Sequence, residues 1–294
     1  METLHLLFNA VTVIFIAATM FAAGLGTTVA ALRSVFTDIP LLALALLANL
    51  VVLPLLGWGI STLFGLPAAA FIAVVLAASS PGGPFGAKLA MVQSGDVVAG
   101  AAMQVLLATI GSLTFAPTAN GILKAADVGQ EVSLDVAALV GTVALLQLLP
   151  FAVGLLVRHC AAPTARAWHP TATALSNVTF LIVLAGMLLG NWRDVLALLG
   201  SLTLLAGVVL AAAAFAVGTL LATGPQTRRT TMGGVAAVRN AGPALAAIGI
   251  AFANQPAILG ALAAVLLSGL ATTLPIAAVL NSRRNRPLAG GQTH

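Results

Sequence analysis

The chain has 294 residues, of which 60% are hydrophobic and 6% are charged, and its mean hydropathy is +1.11. A soluble domain of this size needs more polar surface, so the composition predicts an all-α protein embedded in a lipid bilayer. The 12 Lys and Arg residues outnumber the 7 Asp and Glu residues, but no basic run is interleaved with aromatic residues, so nucleic-acid binding is not expected. The single cysteine, Cys160, excludes an internal disulfide framework and a cysteine metal site.

Apolar stretches of about 17 residues or more follow one another along the chain, separated by charged residues or by Pro, Gly and Asn turns. Each is long enough to cross a bilayer, which predicts nine transmembrane helices. The first stretch follows an acidic leader without Lys or Arg, so we interpret it as a spanning helix and not as a secretion signal. The nine stretches cover approximately residues 5–31, 39–64, 67–93, 97–123, 133–157, 170–190, 195–222, 230–253 and 256–280.

The cations of the connecting segments are distributed unequally between the two sides of the bilayer. One side holds only Lys124 and Arg193. The positive-inside rule therefore predicts a multi-pass protein of the cell (inner) membrane, with its N-terminus outside and its C-terminus in the cytoplasm. The polar segment 281–294 is predicted to form a cytoplasmic tail. The other side holds Arg33, Arg158, Arg166, Arg228, Arg229, Arg283, Arg284 and Arg286.

Two cations, Lys88 and Arg239, lie inside apolar stretches, and no Asp or Glu lies in the middle of any stretch to neutralise them. A charged side chain at the bilayer centre costs about 3 kcal/mol on insertion scales. We therefore expect a ligand, a small organic anion, to supply the counter-charge. The alternatives are a Lys88 side chain that extends to the membrane interface and an Arg239 side chain that binds carbonyl groups at helix ends.

Each of these cations lies beside a Pro- and Gly-rich interruption, at residues 79–84 and 233–243. Proline removes a backbone donor, and broken backbone at membrane depth is tolerated where protein or a water-filled cavity satisfies the freed groups. Interrupted helices in corresponding halves of a transporter indicate a central binding site, and their N-termini direct N–H groups at an anion. Close helix packing is the alternative explanation for an isolated break.

Several short motifs resemble the bile acid:sodium symporter (BASS) family. Ser-Pro-Gly-Gly at 80–83 and Gly-Asp at 95–96 are similar to the family's Pro-Gly-Gly helix break and the Gly-Asp that follows it. Val-Arg-Asn-Ala-Gly at 238–242 resembles Met-Gln-Asn-Ser-Gly, and residues 20–26 resemble Met-Phe-x-Met-Gly-Leu. The segment 49–54 fits Gln-x-x-x-x-Pro. The chain is identified as an atypical, bacterial-type member of this family.

The resemblance implies an inverted-repeat transporter formed by a single transmembrane domain over residues 1–280, with two broken helices that cross. A panel domain would comprise about 5–31 and 133–190, and a core domain about 39–123 and 195–280. Substrate would bind in the cleft between them, and relative movement of the two domains would give alternating access. The implied substrate-binding residues are Lys88, Arg239, Asn240, Pro81, Gly82, Gly83 and Pro84. Gln147, Asn177 and Thr179 are candidates for the panel side of the cleft.

The chain departs from the family at the positions that align with its sodium ligands. Sodium needs several hard oxygen ligands, and these positions offer almost none. We expect the sodium sites to be lost and the two ions to be replaced by Lys88 and Arg239, with small residues leaving room for the Lys88 ammonium. The former ion-site positions are Asn49, Gly86, Ala87, Gly100, Gln104 and Val235.

These departures predict a sodium-independent secondary transporter without cofactor or metal. Lys88 is a candidate proton carrier because burial disfavours its charged form, whereas Arg239 would be a permanent anchor for a carboxylate. Two alternatives remain open: a sodium-coupled bile-acid or organic-acid symporter with altered ion sites, and a passive anion channel. An intramembrane enzyme is not expected, since no nucleophile–base pair or pair of acids lies at depth. The identity of the substrate and the oligomeric state are open.

Overall fold

The computed structural model describes residues 2–83, 85–128, 137, 141, 144–190, 201–252 and 255–285. Every regular element within these ranges is a helix. The segments Ala48–Val52 and Ala144–Leu148 are π-helical turns. The α-helices are α1 (Glu2–Gly26), α2 (Val29–Phe36), α3 (Ile39–Leu47), α4 (Leu53–Leu63), α5 (Ala68–Ala78), α6 (Phe85–Val92), α7 (Val97–Ala125), α8 (Leu149–Cys160), α9 (Ala162–Gly190), α10 (Leu202–Leu221), α11 (Gln226–Ala237), α12 (Ala241–Ala251) and α13 (Pro256–Arg284).

Four helical segments of the described chain are long and apolar enough to cross a membrane, and a bent pair of helices gives up to five. Large apolar side chains such as Leu63 (81% exposed) and Leu220 (71% exposed) lie on the outer surface of the bundle, where hydrocarbon can cover them. The chain is therefore an all-helical membrane protein. The four segments are Ile39–Leu63, Val97–Ala125, Leu202–Leu221 and Ala257–Arg284, and shorter apolar helices cover Ala68–Ala78 and Ala144–Cys160.

The first predicted span, 5–31, is not one helix in the structure. It ends at Gly26, and α2 follows with a bend of 100°. Thr28 has an extended backbone (φ −106°, ψ 153°) between the two helices, and its side chain accepts from the backbone N–H of Ala31 (3.2 Å) as the N-cap of α2.

Both interruptions expected from Pro and Gly are present. The first separates α5, which ends at Ala78, from α6, which begins at Phe85. The second separates α11, which ends at Ala237, from α12, which begins at Ala241. Pro84, one of the implied substrate-binding residues, lies outside the described residues.

The helices pack as two groups. The smaller helix group contains α1, α8 and α9, and the larger helix group contains α2–α7 and α10–α13. Gly24 and Gly154 allow α1 and α8 to touch, because a Cβ at Gly24 would lie 2.3 Å from the Phe151 carbonyl oxygen. Gly218 does the same for α10 and α11, where a Cβ would lie 2.7 Å from the Met232 carbonyl oxygen. Small residues at helix contacts are the usual means of association within membranes.

Ion pairs hold one end of the larger helix group. Arg228 lies 2.8 Å from Asp96 and 3.5 Å from Asp38, and Arg284 donates to the carbonyl of Gln93. These residues come from connections that the charge pattern predicts to share one side of the membrane, which agrees with the alternation of loops.

Asp96 and the end of α13 lie at this end of the larger helix group. Asp96 is the N-cap of α7, since its side chain accepts from the backbone N–H of Ala99 (3.0 Å). α13 continues to Arg284, so its last turn occupies the start of the segment predicted as a tail.

Candidate functional site

The two helix breaks meet backbone to backbone. We call residues 79–83 and 238–240 the junction. Across it, the Asn240 N–H donates to the Ser80 carbonyl (2.8 Å), and Ser80 Oγ donates to the Asn240 carbonyl (2.7 Å). A Cβ at Gly83 would lie 2.4 Å from the carbonyl oxygen of Arg239. The backbones can approach this closely only because residue 83 has no side chain.

The Pro-Gly-Gly sequence packs against α7. Gly82 has a φ of +76°, and a Cβ there would lie 2.2 Å from the backbone nitrogen of Ala108. The ring of Pro81 lies where a Cβ on Gly111 would come within 2.7 Å. Pro81, Gly82 and Gly83 are thus buried against protein, and in this structure they position the two breaks.

Arg239 lies within the junction and is 6% exposed. Its guanidinium donates to the carbonyls of Ala77 (3.3 Å), Ala78 (2.8 Å) and Ala236 (2.8 Å), and to Asn49 Oδ1 (2.9 Å). Four of the five guanidinium N–H donors are therefore engaged by the protein. These contacts match the alternative of carbonyls at helix ends, and they leave one N–H in place of the two that a bidentate carboxylate would take.

Asn49 reaches Arg239 from a π-helical turn. Pro54 has no N–H to donate to the preceding turn, and a widened turn relieves the clash between its ring and that turn. Asn49 Nδ2 donates to the Ala45 carbonyl (3.0 Å), which orients Oδ1 towards the guanidinium. Asn49, one of the former ion-site positions, therefore lies beside the junction.

Lys88 is 3% exposed and points from the larger helix group to the smaller one. Its ammonium donates to Ser176 Oγ (3.3 Å) and to Asn177 Oδ1, and lies 5.9 Å from the centre of the Phe180 ring. All three partners belong to α9. The side chain does not extend to the membrane interface, which was the alternative.

Neither buried cation pairs with an acid among the described residues, where the ion pairs are those of Arg228 with Asp38 and Asp96. Both positive charges are held by neutral oxygens only. Neither positive charge is therefore neutralised by an acid within the part of the chain that the structure describes.

The small residues do not make room for the Lys88 ammonium, so this part of the expectation is wrong. A Cβ at Gly86 would lie 3.4 Å from both Gln104 Oε1 and Val235 Cγ2, and one at Gly100 would lie 2.8 Å from Ala90 Cβ. A helix turns by roughly 100° per residue, so Lys88 faces away from Gly86. Gly86 and Gly100 instead permit close packing.

Gln104 occupies the space beside Gly86. Its Oε1 accepts from the Ala87 N–H (2.8 Å), one of the N-terminal donors of α6 that lack a partner within the helix. Its Nε2 donates to Gln147 Oε1 (3.2 Å) and contacts the Met20 sulfur (2.9 Å). Gln104 thus links α7 to α1 and to the π-helical turn Ala144–Leu148 that precedes α8.

The sequence did not single out Ser176 and Phe180, which contact Lys88, or Thr19, which contacts Ser176. Thr19 Oγ1 and Ser176 Oγ are 2.7 Å apart and share a hydrogen bond. Thr179, which was a candidate, bonds instead to the carbonyl of Leu175 on its own helix (2.7 Å). The available signal was helical spacing, since Ser176 and Phe180 lie on the same face of α9.

The pockets beside the junction are small. One of about 20 Å³ lies against Arg239 and Val238, and one of about 10 Å³ lies against Asn49 and Val235. The first has room for a water molecule, and the second is at or below the minimum for one. Neither has room for a carboxylate, and both are lined by residues of the larger helix group.

Comparison with known proteins identifies the family. Residues 13–198 match the Sodium Bile acid symporter family, a range that contains the first broken helix and Lys88 and ends before the second break. The chain is also similar to a "Probable sodium/metabolite cotransporter BASS3, chloroplastic" from Oryza sativa subsp. japonica, with 28% identity over 191 residues. The matched region is 64% of this chain and 43% of that relative, so it spans less than half of the relative's length. The chain therefore belongs to the sodium bile acid symporter family, whose members are transporters and not enzymes.

Proposed function

We propose that this transporter carries a small organic anion by alternating access and does so without sodium at the junction. The observation that carries the proposal is the set of four hydrogen bonds from Arg239 to Ala77, Ala78, Ala236 and Asn49. The guanidinium provides permanent positive charge at the position where two half-helices end.

The carbonyl groups at these ends are suited to a cation. The C-terminal end of a helix carries partial negative charge, and in transporters with interrupted helices such ends coordinate the coupling ion. Here α5 ends at Ala78 and α11 at Ala237, and the guanidinium donates to carbonyls in the last turn of both. Arginine stays charged in proteins, so this charge is present in every state of the cycle.

The neutral side-chain amide of Gln104 occupies the space beside Gly86. Gln104 binds the Ala87 N–H with its oxygen and Gln147 with its nitrogen. The two sodium ions of the family would thus be replaced by Arg239 and Gln104, and Lys88 would be free for a different role.

Lys88 would supply the positive charge that binds the anionic substrate. Its ammonium reaches from α6 to α9 and donates to two neutral oxygens there. These oxygens do not neutralise the ammonium, so an anion that entered between the helices would interact with its full positive charge. The larger and smaller helix groups would be the core and panel domains of a nine-span transporter with inverted repeats. Their relative movement would expose Lys88 to each side in turn. Deprotonation of Lys88 would provide a route for proton coupling.

A sodium-coupled symporter is the second candidate, and the comparisons favour it. The name of the Oryza sativa relative includes sodium/metabolite cotransport, and the family is named for sodium symport. Ion sites built from other residues would be required, because the junction already holds a guanidinium.

Uptake into proteoliposomes distinguishes the two candidates. Radiolabelled acetate, pyruvate and benzoate would be supplied with external sodium or with sodium replaced by choline. We expect equal initial rates in the two media. Strict sodium dependence would overturn the sodium-independent proposal in favour of the second candidate. Saturable counterflow in the same vesicles identifies a carrier, and its absence with rapid permeation would identify a channel.

A further inference from the structure

We infer that the substrate is a compact monocarboxylate with a flat ring next to its carboxylate, and that Phe15, Phe85 and Phe180 select it. This inference rests on the proposed function, in which Lys88 binds the anionic group. The rings lie beside the ammonium at the boundary between the helix groups.

The three rings form a closed aromatic cluster. Their centres lie 5.0 Å apart for Phe15 and Phe85, 5.6 Å for Phe15 and Phe180, and 5.3 Å for Phe85 and Phe180. All three pairs are tilted, within the range of distances that aromatic pairs favour. Phe15 is fully buried and Phe180 is 7% exposed. The cluster therefore forms an apolar wall beside the charge of Lys88.

Each of three helices supplies a ring and a polar group at helical spacing. Phe85 and Lys88 are three residues apart on α6, and Ser176 and Phe180 are four apart on α9. Phe15 lies four residues before Thr19 on α1. Residues three or four apart share a helix face, so the polar groups collect at one end of the site and the rings at the other.

This arrangement matches a ligand with two unlike ends. A carboxylate bound to the Lys88 ammonium places its substituent on the side of Phe180, whose ring centre is 5.9 Å from Nζ. Ser176 Oγ and Asn177 Nδ2 are hydrogen-bond donors beside the same place, and can bind the second carboxylate oxygen once the ammonium turns to the ligand. A flat ring attached to the carboxylate would then lie against the phenylalanines.

The division of the rings between the helix groups sets the size of the ligand. Phe85 belongs to the larger group, and Phe15 and Phe180 belong to the smaller one. Separation of the groups would withdraw Phe85 from the other two rings and open a gap between them. We expect this gap to admit a single aromatic ring and to exclude a fused steroid.

Competition and counterflow with three acids test the inference on the reconstituted full chain. The acids are benzoate, acetate, which has the same charge and no ring, and cholate, which has a fused ring system. We expect benzoate to half-saturate transport at a concentration about tenfold below acetate, and Phe180→Leu to reduce that ratio by up to about tenfold. Phe115→Leu is a matched control, because Phe115 is fully buried in another part of the core; it should keep the ratio.

The possible results distinguish a failure of selection by the rings from a failure of the proposed transport function. Equal affinity for acetate and benzoate, preference for cholate, or equal changes in Phe180→Leu and Phe115→Leu would overturn the role of the rings. If Lys88→Met then abolished uptake of whichever acid is carried, the proposed function would stand. Uptake of none of the acids, or uptake unaffected by Lys88→Met, would overturn both. Thermal unfolding of each variant in detergent verifies that it is folded.

Discussion

The two buried cations have the same charge and nearly the same exposure, but different partners. Arg239 binds three backbone carbonyls and one amide within the larger helix group. Lys88 binds a hydroxyl and an amide on a helix of the other group. The partners of Arg239 belong to its own helix group, whereas those of Lys88 belong to the other group.

Burial alone therefore does not identify a charged side chain that binds a ligand. A cation saturated by backbone carbonyls stabilises the fold, because removing it leaves buried acceptors without donors. A cation held by side chains across a boundary can exchange those partners for a ligand. The first kind of environment predicts large effects of mutation on stability, and the second predicts large effects on transport.

Lys88→Met should have the largest effect on transport. Methionine keeps an unbranched side chain and removes the charge. Loss of a buried charge pair costs about 2–5 kcal/mol, so anion uptake should fall by at least about 30-fold. The melting temperature should change little, since Ser176 retains Thr19 as a partner. Uptake into proteoliposomes measures the first effect, and Lys124→Met, at an exposed site, is the control. Near-normal uptake would contradict the role of Lys88.

Arg239→Ala should have the largest effect on stability. Removing the guanidinium leaves three backbone carbonyls and Asn49 Oδ1 buried without this donor, and an unsatisfied buried acceptor costs about 1–3 kcal/mol. Arg239→Lys keeps the positive charge but not the planar guanidinium with its five N–H donors, so it should recover only part of the lost stability. Thermal unfolding in detergent measures both variants.

The same variant provides a test of the sodium replacement. The freed carbonyls and Asn49 Oδ1 are oxygen ligands, so sodium should raise the melting temperature of Arg239→Ala relative to choline and leave the parent unchanged. A sodium-induced rise in the parent protein would show that an ion site persists beside the guanidinium.

Gly83→Ala should disturb the junction itself. The new Cβ would lie 2.4 Å from the Arg239 carbonyl oxygen, and such overpacking costs about 1–3 kcal/mol. Gly121→Ala is the matched control, because a Cβ there meets nothing within 4 Å and alanine favours the helix by about 1 kcal/mol. The melting temperatures should therefore move in opposite directions. A fall of equal size in both would argue against a specific close contact.

Arg228→Gln should have the smallest effect. Its ion pairs with Asp38 and Asp96 are partly exposed, so their loss costs about 1 kcal/mol or less and is reduced further by salt. The difference in melting temperature from the parent should shrink between low and high salt. Arg33→Gln, at an exposed residue, provides the comparison. A large effect that salt does not change would mean that Arg228 acts through contacts other than these pairs.

The sequence predicts the breaks and the two cations well because their signals are local. Closely spaced proline and glycine residues interrupt the helix between Ala78 and Phe85, whereas single prolines such as Pro117 and Pro275 lie inside helices. A charge within an apolar run is visible at once. The composition likewise predicts a helical membrane protein. The first helix shows the limit of this reasoning: hydropathy continues to residue 31, but α1 ends at Gly26, and the extended backbone of Thr28, the N-cap of α2, separates the two helices.

The partners of the cations could not be predicted, because they depend on packing. Arg239 binds carbonyls more than 160 residues earlier in the chain, and no local pattern encodes that contact. The space expected beside Gly86 is filled by Gln104, a residue from another helix. The direction of Lys88 follows from helical rotation, but only once the neighbours of α6 are known.

The contacts of Arg239 impose an order on biogenesis. Asn49, Ala77 and Ala78 leave the ribosome long before residue 239, and their acceptors enter the bilayer without this donor. The guanidinium in turn avoids the energetic cost of hydrocarbon only when those acceptors are already in place. The helices that are synthesised first thus provide the hydrogen-bond acceptors for a side chain that is synthesised later. The larger helix group can complete its packing only after α11 has been synthesised.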